Sequence, residues 1–469
     1  MSLSIANNVS SLNAQHNLAR ASSGLAKSVE RLSSGLKVNR GADGPAALVI
    51  SEKHRAQIAG LRQAIDNAEK ATSVVQTAEG ALNEINSLLV KVRSLALDSA
   101  NAGVNDDDAL AANQAEIANA IDTINRIANN TQFGQKKLLN GSSGIVGTPT
   151  DADVSVQQTT ADTKAGNYNV NITTAAERAT VTAGTGQTAN LAAAETLTIN
   201  GVAITLDAGL SQGQVVSRIN EFTAQTGVIA DIDSGDTRLY TQAFGSAATI
   251  DVVSDVAAAA TSSGFGNVAA NDAGVDIAGT IGGVAATGTG NTLTATSGNA
   301  NGLQIRVAAD TDPTTTVTGA QGAVAVVDNS LVFQIGPNQN QTASIAIGRI
   351  NPNGLGSGIA GNQFSNLSEV EVTSASKSQD ALAVIDEAIN QVTNLRGTLG
   401  AFQQNTLAST VSNLQATLEN TVNAESVIRD TDFATEVAEF TKQQVLVQAG
   451  ASVLKNANQQ PQLALSLLN

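Results

Sequence analysis

From Val9 the chain reads VSSLNAQHNLARASSGLAKSVERLSSGLKVNR to Arg40, and from Phe433 it reads FATEVAEFTKQQVLVQAGASVLKNANQQ to Gln460. Apolar residues recur in both at helical spacing. Val9, Leu12, Leu18, Leu25, Val29, Leu32 and Leu36 form one stripe; Phe433, Val437, Phe440, Val447, Ala451 and Leu454 form the other. A helix with such a stripe must cover it. The two stripes lie at opposite ends of the chain, so the reading predicts that the ends pack side by side. Everything between them then becomes one outward excursion. A chain of that shape reads as the subunit of a polymer rather than as an enzyme.

Working inward, Gly41 and Gly44-Pro45 interrupt the first stripe, as a turn followed by a fresh helix start does. Ile58, Leu61, Ile65, Val75, Leu82, Ile85, Leu89, Val92 and Leu95 carry a second stripe. One helix from Pro45 to Ala100 would be roughly 80 Å long. Asp106, Asp107 and Asp108 then cap a third helix bearing Leu110, Ile117, Ile121, Ile124 and Ile127. Towards the C-terminus, Leu382, Ile385, Ile389, Val392, Leu395, Leu399 and Phe402 continue through Leu407, Val411, Leu414, Leu418 and Val422 in steps of three and four. That is a coiled-coil-like seam. After Pro461, Leu463, Leu465, Leu467 and Leu468 make an apolar tail, which needs a partner surface.

The middle has a different period. Thr196 to Leu206 alternates on both sides of Asn200-Gly201, a strong hairpin signal. Ser211 is placed to cap a short helix with Val215, Val216, Ile219 and Phe222. Strands are expected at Val228–Ile232, Arg238–Thr241 and Thr249–Val253. Leu331–Ile335 and Ser344–Ile347 pair across Gly336-Pro337-Asn338. The fold class is therefore multi-domain: an α-helical coiled-coil and bundle core from both termini, with an inserted β-rich (α+β) outer region of one or two subdomains.

Composition narrows the function. With 469 residues, no Cys, no Trp and 2% aromatics, cores must be built from Ala, Val, Ile and Leu. No disulfide or thiolate metal site is available. Of the net charge of −16, most lies between Ser142 and Val372, where 19 acidic residues face 6 basic ones. That surface disfavours nucleic acid, and no apolar run approaches the ~20 residues of a membrane span. The opening residues lack the pattern of a secretory signal peptide. His16 and His54 stand far apart on separate helices and read as packed or solvated side chains. No phosphate-binding loop or zinc motif occurs. Asp231-Ile-Asp233-Ser-Gly235-Asp236 resembles a calcium loop, but its glycine falls one place early and Gln242 stands where Glu is needed; a hairpin turn accounts for it better. The chain reads as a non-enzyme with no catalytic, cofactor-binding or metal-ligating residues.

Arg31-Leu-Ser-Ser-Gly-Leu-Lys-Val-Asn-Arg40, Ala46–Ile50, Ser51-Glu52-Lys53 and Gln57-Ile58-Ala-Gly-Leu61 resemble the N-terminal signature of the bacterial flagellin family. Thr131-Gln132-Phe133-Gly134 with Lys137-Leu-Leu-Asn-Gly141 resembles that family's exit from its third helix. Ile428-Arg429-Asp430-Thr431-Asp432-Phe433-Ala434 and Gln443 through Asn458 resemble its C-terminus. Residues Thr196 to about Val253 resemble an insertion module frequent in flagellins. Gly44-Pro45 with Ala47 departs from the family's acidic run at that bend.

The resemblance implies a filament subunit exported by the flagellar type III system and located in the extracellular flagellar filament. Its domains would be 1–43 with 424–469 as an inner coiled coil, 44–176 with 326–423 as a helical tube wall with a β-hairpin, and 177–325 as the β-rich exterior. Val9, Leu12, Leu18, Leu25, Phe433, Val437, Phe440, Val447, Leu454, Leu463, Leu465, Leu467 and Leu468 would then serve polymerisation and core packing. Implied partners are other copies of the chain, an export chaperone, the filament cap and the hook–filament junction proteins. Lys91, Arg93, Leu95 and Glu116 fall where flagellins meet the innate receptor Toll-like receptor 5, although Lys91 and Ser94 replace the usual Arg and Glu. A hook–filament junction protein, with similar ends, is the nearest alternative.

Overall fold

A computed structural model describes residues 8–101 and 103–466. Its helices are α1 (Val9–Ser34), α2 (Pro45–Ser99), α3 (Asp107–Asn130), α4 (Gln212–Asn220), α5 (Thr223–Thr226), α6 (Ala375–Ala401), α7 (Ser409–Arg429) and α8 (Phe433–Ser466). The chain divides into two compact units. The first holds the described residues up to Glu69, Gln334–Thr342 and those from Ala408 on; the second holds Lys70–Phe333 and Ala343–Leu407. No helix among the described residues is long and apolar enough to cross a membrane.

In the first unit, α1 starts at Asn8, whose side chain accepts the Ser11 N–H at 3.0 Å, and ends at Gly35 in the left-handed region with φ 73°. A 3-10 turn over Gly41–Asp43 follows. There Asp43 accepts the backbone N–H of Arg40 at 2.9 Å and pairs with Lys27 at 3.0 Å. The Lys27 ammonium first, and the Arg40 N–H next, hold this carboxyl at a pKa of about 2. Proline at the first position of α2 then restarts the helix. The break expected at Gly41 and Gly44-Pro45 is present, with Asp43 as its anchor. Leu61, Ala64 and Leu414 form a small core with Ile65 and Leu418 beside them.

In the second unit, Leu82, Ile85, Leu89 and Val92 of α2 are fully buried, as are Ile117 and Ile124 of α3 and Val384, Ile385, Ala388, Val392 and Leu399 of α6. Asp106 caps α3 by accepting the Ala109 N–H at 2.9 Å. The seam expected to run unbroken from Leu382 to Val422 is instead divided by a π-helical stretch, Phe402–Ala408. Its wider hydrogen-bond spacing rotates the stripe at one place. Phe402 there lies 6.5 Å from Phe333, ring centre to ring centre.

The β-rich part follows the hairpin signals closely. Glu195–Ile199 and Val202–Leu206 pair across Asn200 (φ 49°) and Gly201 (φ 81°). Two positive φ values match the twist of the flanking strands. The four-stranded sheet runs Ala270–Ala273, Thr249–Ser254, Glu195–Ile199, Val202–Leu206; a three-stranded one runs Thr180–Thr182, Asp236–Thr241, Val228–Asp233. Val215 and Ile219 of α4 share their core; Ser211 is the N-cap of α4, as expected, and its N–H donates to the Gln214 side chain at 3.0 Å. Leu331–Gln334 pairs with Thr342–Ile345, close to the expected limits. The suspected calcium loop is a hairpin turn at Ser234-Gly235 with φ 53° and 94°.

An eight-stranded sheet runs Ile145–Pro149, Gly319–Asp328, Gly166–Thr174, Ala278–Ile281, Val284–Thr289, Thr292–Thr294, Gln304–Val307, Val154–Gln158. Strands before residue 177 thus interleave with strands after it. The division expected at 176/177 and 325/326 passes through this sheet, because a hydrogen-bonded ladder between distant strands leaves no mark in local periodicity.

Two polar knots do work that large rings do in other cores. Arg238, 8% exposed, donates to Asp231 at 2.7 and 3.0 Å and reaches Asp233 and Asp312 at 3.3 Å. Glu195, 2% exposed, accepts the Ser263 N–H at 2.8 Å and the Ser254 hydroxyl at 2.5 Å. Replacing Arg238 with Met leaves three carboxylates facing one another. Because those carboxylates are half-exposed, the expected loss is about 2 kcal/mol rather than the full cost of a buried broken pair, read from urea unfolding followed by tyrosine fluorescence. The Thr314 N–H and hydroxyl, with Arg238, hold the Asp312 carboxyl below its ordinary range. A carboxyl whose pKa drops on folding stabilises fully above its unfolded value, about 3.9, and loses that contribution as pH falls below it. Asp312→Asn should therefore flatten the acid limb of the stability curve; an unchanged limb would refute the assignment.

Candidate assembly surface

α1 and α8 lie antiparallel. At one end the Asn8 side chain donates to Ala457 O at 2.8 Å and Ser11 Oγ to Asn458 Oδ1 at 2.6 Å. At the other, Arg31 reaches Glu436 at 3.4 Å. The chain crossing between them is stitched by Lys37 N–H to Arg429 O at 2.7 Å and Thr431 N–H to Gly35 O at 3.0 Å, around a bridge between Leu36 and Asp430. The Arg31–Arg40 and Ile428–Ala434 motifs therefore meet at one place. Arg429 also contacts Glu52 at 3.1 Å and Ser51 at 3.4 Å, and Ser51 donates to Glu425 at 3.2 Å. Asp432 accepts the Ala434 N–H at 2.9 Å and the Thr435 hydroxyl at 2.8 Å, which starts α8; the Thr435 hydroxyl first, then the backbone N–H groups, keeps its carboxyl below the ordinary range.

The buried faces of this pair are small. Ala14, Ala21 and Ser28 are the buried residues of α1, seven apart, and Ala457 is buried on α8. Leu18 lies on the bare backbone of Gly450, where a Cβ would stand 3.4 Å from it. Small side chains let two helices approach closely, and they leave the large apolar ones elsewhere. Val9 is 63% exposed, Leu12 53%, Phe433 57% and Val437 49%. Val29, Val445, Leu446 and Val453 are exposed too. Leu18, Leu25, Phe440, Val447 and Leu454 are half-buried.

The expectation that the large stripes bury on each other is corrected here: the small-residue seam holds the pair, and part of each stripe faces outward. Ala14, Ala21 and Ser28 repeat every seven residues in the sequence, but residues this small leave no apolar stripe to mark the buried face. α8 runs on past Pro461 to Ser466. The side chains of Leu463 and Leu465, and all of Leu467 and Leu468, lie outside the described residues.

In the second unit Lys91 pairs with Glu116, joining α2 to α3, and Arg93 donates to Asp386 of α6 at 2.6 and 3.3 Å. That carboxylate raises the Arg93 pKa further above its ordinary value. Leu95 is half-buried between them in sequence and Ser94 exposed. His16 is exposed on α1 and His54 half-buried on α2.

Comparison with known proteins identifies the family. Residues 5–144 match the bacterial flagellin N-terminal helical region, and residues 382–468 match the bacterial flagellin C-terminal helical region. The chain is 32% identical to flagellin B of Vibrio anguillarum over 475 residues, covering 100% of both. It is 33% identical to the B-type flagellin of Pseudomonas aeruginosa over 533 residues, again covering 100% of both. The solved structure of FliC from Burkholderia pseudomallei covers 71% of this chain and 98% of its own at 19% identity, but its TM-score of 0.25 carries no structural argument. Full-length identity above 30%, with both helical regions in order, settles the family: this chain belongs to the bacterial flagellins, the structural, non-enzymatic proteins of the flagellar filament.

Proposed function

We propose that the chain polymerises through the outward faces of α1 and α8, which become the inner wall of a helical tube turned by the flagellar motor for swimming. The observation that carries this reading is the pair closed on small residues with Val9, Leu12, Val29, Phe433, Val437 and Val453 left exposed. Large apolar side chains left exposed on both helices of the pair need a partner surface, and identical copies related head to tail give contacts that propagate into a filament. In this reading Leu18, Leu25, Phe440, Val447, Leu454 and the tail leucines Leu463, Leu465, Leu467 and Leu468 complete the packing. The chain leaves the cell unfolded through the type III channel, escorted by an export chaperone, and adds beneath the filament cap beyond the hook–filament junction.

Each leucine buried between copies contributes about 1.5–3 kcal/mol. A Leu12→Asp, Val437→Asp double variant should keep its helix content by circular dichroism yet form no filaments under conditions where the unchanged chain does. Filaments of ordinary length from that variant would end the proposal. Abundance of the protein in sheared filaments, against a trace amount, separates a filament subunit from a junction protein.

The same reading makes the α2 surface at Lys91, Arg93 and Leu95, with Glu116 on α3, a contact for Toll-like receptor 5. Lysine at 91 lacks the fork of a guanidinium, and Arg93 is already engaged by Asp386. Recognition of the monomer should be weaker than for flagellins with Arg and Glu at positions 91 and 94. In a receptor reporter assay, Arg93→Ala should lower potency further; full potency that survives this change would reject the contact.

A further inference from the structure

Arg178 is a guanidinium that the fold places without a carboxylate. Its backbone is held by Thr314 O at 2.9 Å, and its side chain lies 4.4 Å from the Phe244 ring centre and 5.5 Å from that of Tyr240. Its Nε is buried and meets no acceptor, and no ion pair reaches it among the described residues. Arg238, by contrast, has three carboxylates. Stacking on two rings positions a cation without supplying an acceptor for its in-plane N–H groups.

Arg178 lines a cavity of about 180 Å³ together with Arg306, Gln242, Asn362, Gln363 and Glu369, among others. One water needs only about 10–15 Å³ by the same measure. The nearby acids are already engaged. Glu369 accepts from Arg306 at 3.1 Å, from the Ser365 N–H at 2.9 Å and from Asn366 Nδ2 at 3.1 Å. Asp380 takes the Gln363 amide at 2.6 Å. Glu371 pairs with Lys377 beside an adjoining depression that Arg178 also lines. The Arg306 charge is thus balanced, and that of Arg178 is not. Burial first, with the Arg306 charge adding and Tyr240 opposing, lowers the Arg178 pKa from its ordinary value. A bound anion relieves both burdens.

We propose that this cavity is a binding site for a small oxyanion, a phosphate or sulfate or a free carboxylate, held by Arg178 and Arg306 between the polar side chains of the pocket wall. The planar fork of Arg178 suits two oxygens of such a group, while Phe244 and Tyr240 fix the plane in advance. The site lies within the second unit.

Titration of the full-length monomer with sodium phosphate, and separately with sodium acetate, at ionic strength held constant with chloride tests this by calorimetry. Saturable binding is expected for at least one of the two, accompanied by shifts in the Asn362 and Gln363 side-chain amide signals. Phosphate binding alone assigns the site to inorganic oxyanions; acetate binding alone assigns it to carboxylates. Arg178→Gln should weaken binding by about tenfold or more, the scale of one charged hydrogen bond, and Arg178→Lys, which keeps charge without the fork, by less. Absence of saturable binding by the unchanged chain overturns the proposal even if the variants fail to fold. So does equal competition by chloride, or undiminished binding by a folded Arg178→Gln.

Discussion

The closing of α1 on α8 through small residues is the constraint on which the rest of the first unit depends. Ala14, Ala21 and Ser28 recur every seven residues and Gly450 gives Leu18 bare backbone to rest on. Had the large residues filled that seam, the pair would be a self-sufficient coiled coil with a polar exterior. Instead the attraction between the two helices is shared among short contacts and polar ties at both ends, and apolar surface remains exposed.

The turn that joins the motif regions shows how few side chains set such geometry. Leu36 bridges Asp430, Arg429 reaches Glu52 and Ser51, and Asp43 binds the backbone of its own turn. Asp432 starts α8 immediately after this crossing. The Leu36–Asp430 and Arg429–Glu52 contacts join residues nearly four hundred positions apart, so the antiparallel pairing of the ends is a matter of register rather than of bulk hydrophobicity.

The β-rich part of the second unit meets a different difficulty: a core with few rings. It answers with many short strands, aliphatic clusters built on Val, Ile, Leu and Ala, and buried charges held by several partners each. Arg238 among three aspartates and Glu195 among serine donors are fully engaged, which is what makes their burial tolerable. Arg178 departs from that rule. What sets it apart is a guanidinium stacked on two rings, with no ion pair among the described residues, in the wall of a cavity.

Much of this was legible in the chain itself. Helix limits followed from Gly44-Pro45, Asp106 and Ser211, because caps and breakers act over three or four residues. The Asn200-Gly201 and Ser234-Gly235 turns followed from the backbone angles those residues tolerate, and the family from motifs at both ends. Only tertiary structure decided which face of each helix is covered, since Val9 and Leu12 carry the same periodicity whether buried or exposed. It alone decided that Ile145–Thr174 shares a sheet with Ala278–Asp328, and that Phe402–Ala408 takes π-helical spacing within a continuous apolar stripe. Local sequence sets what a segment can become through short-range sterics and hydrogen bonds; which segments meet is decided by packing between residues too distant for any window of sequence to contain.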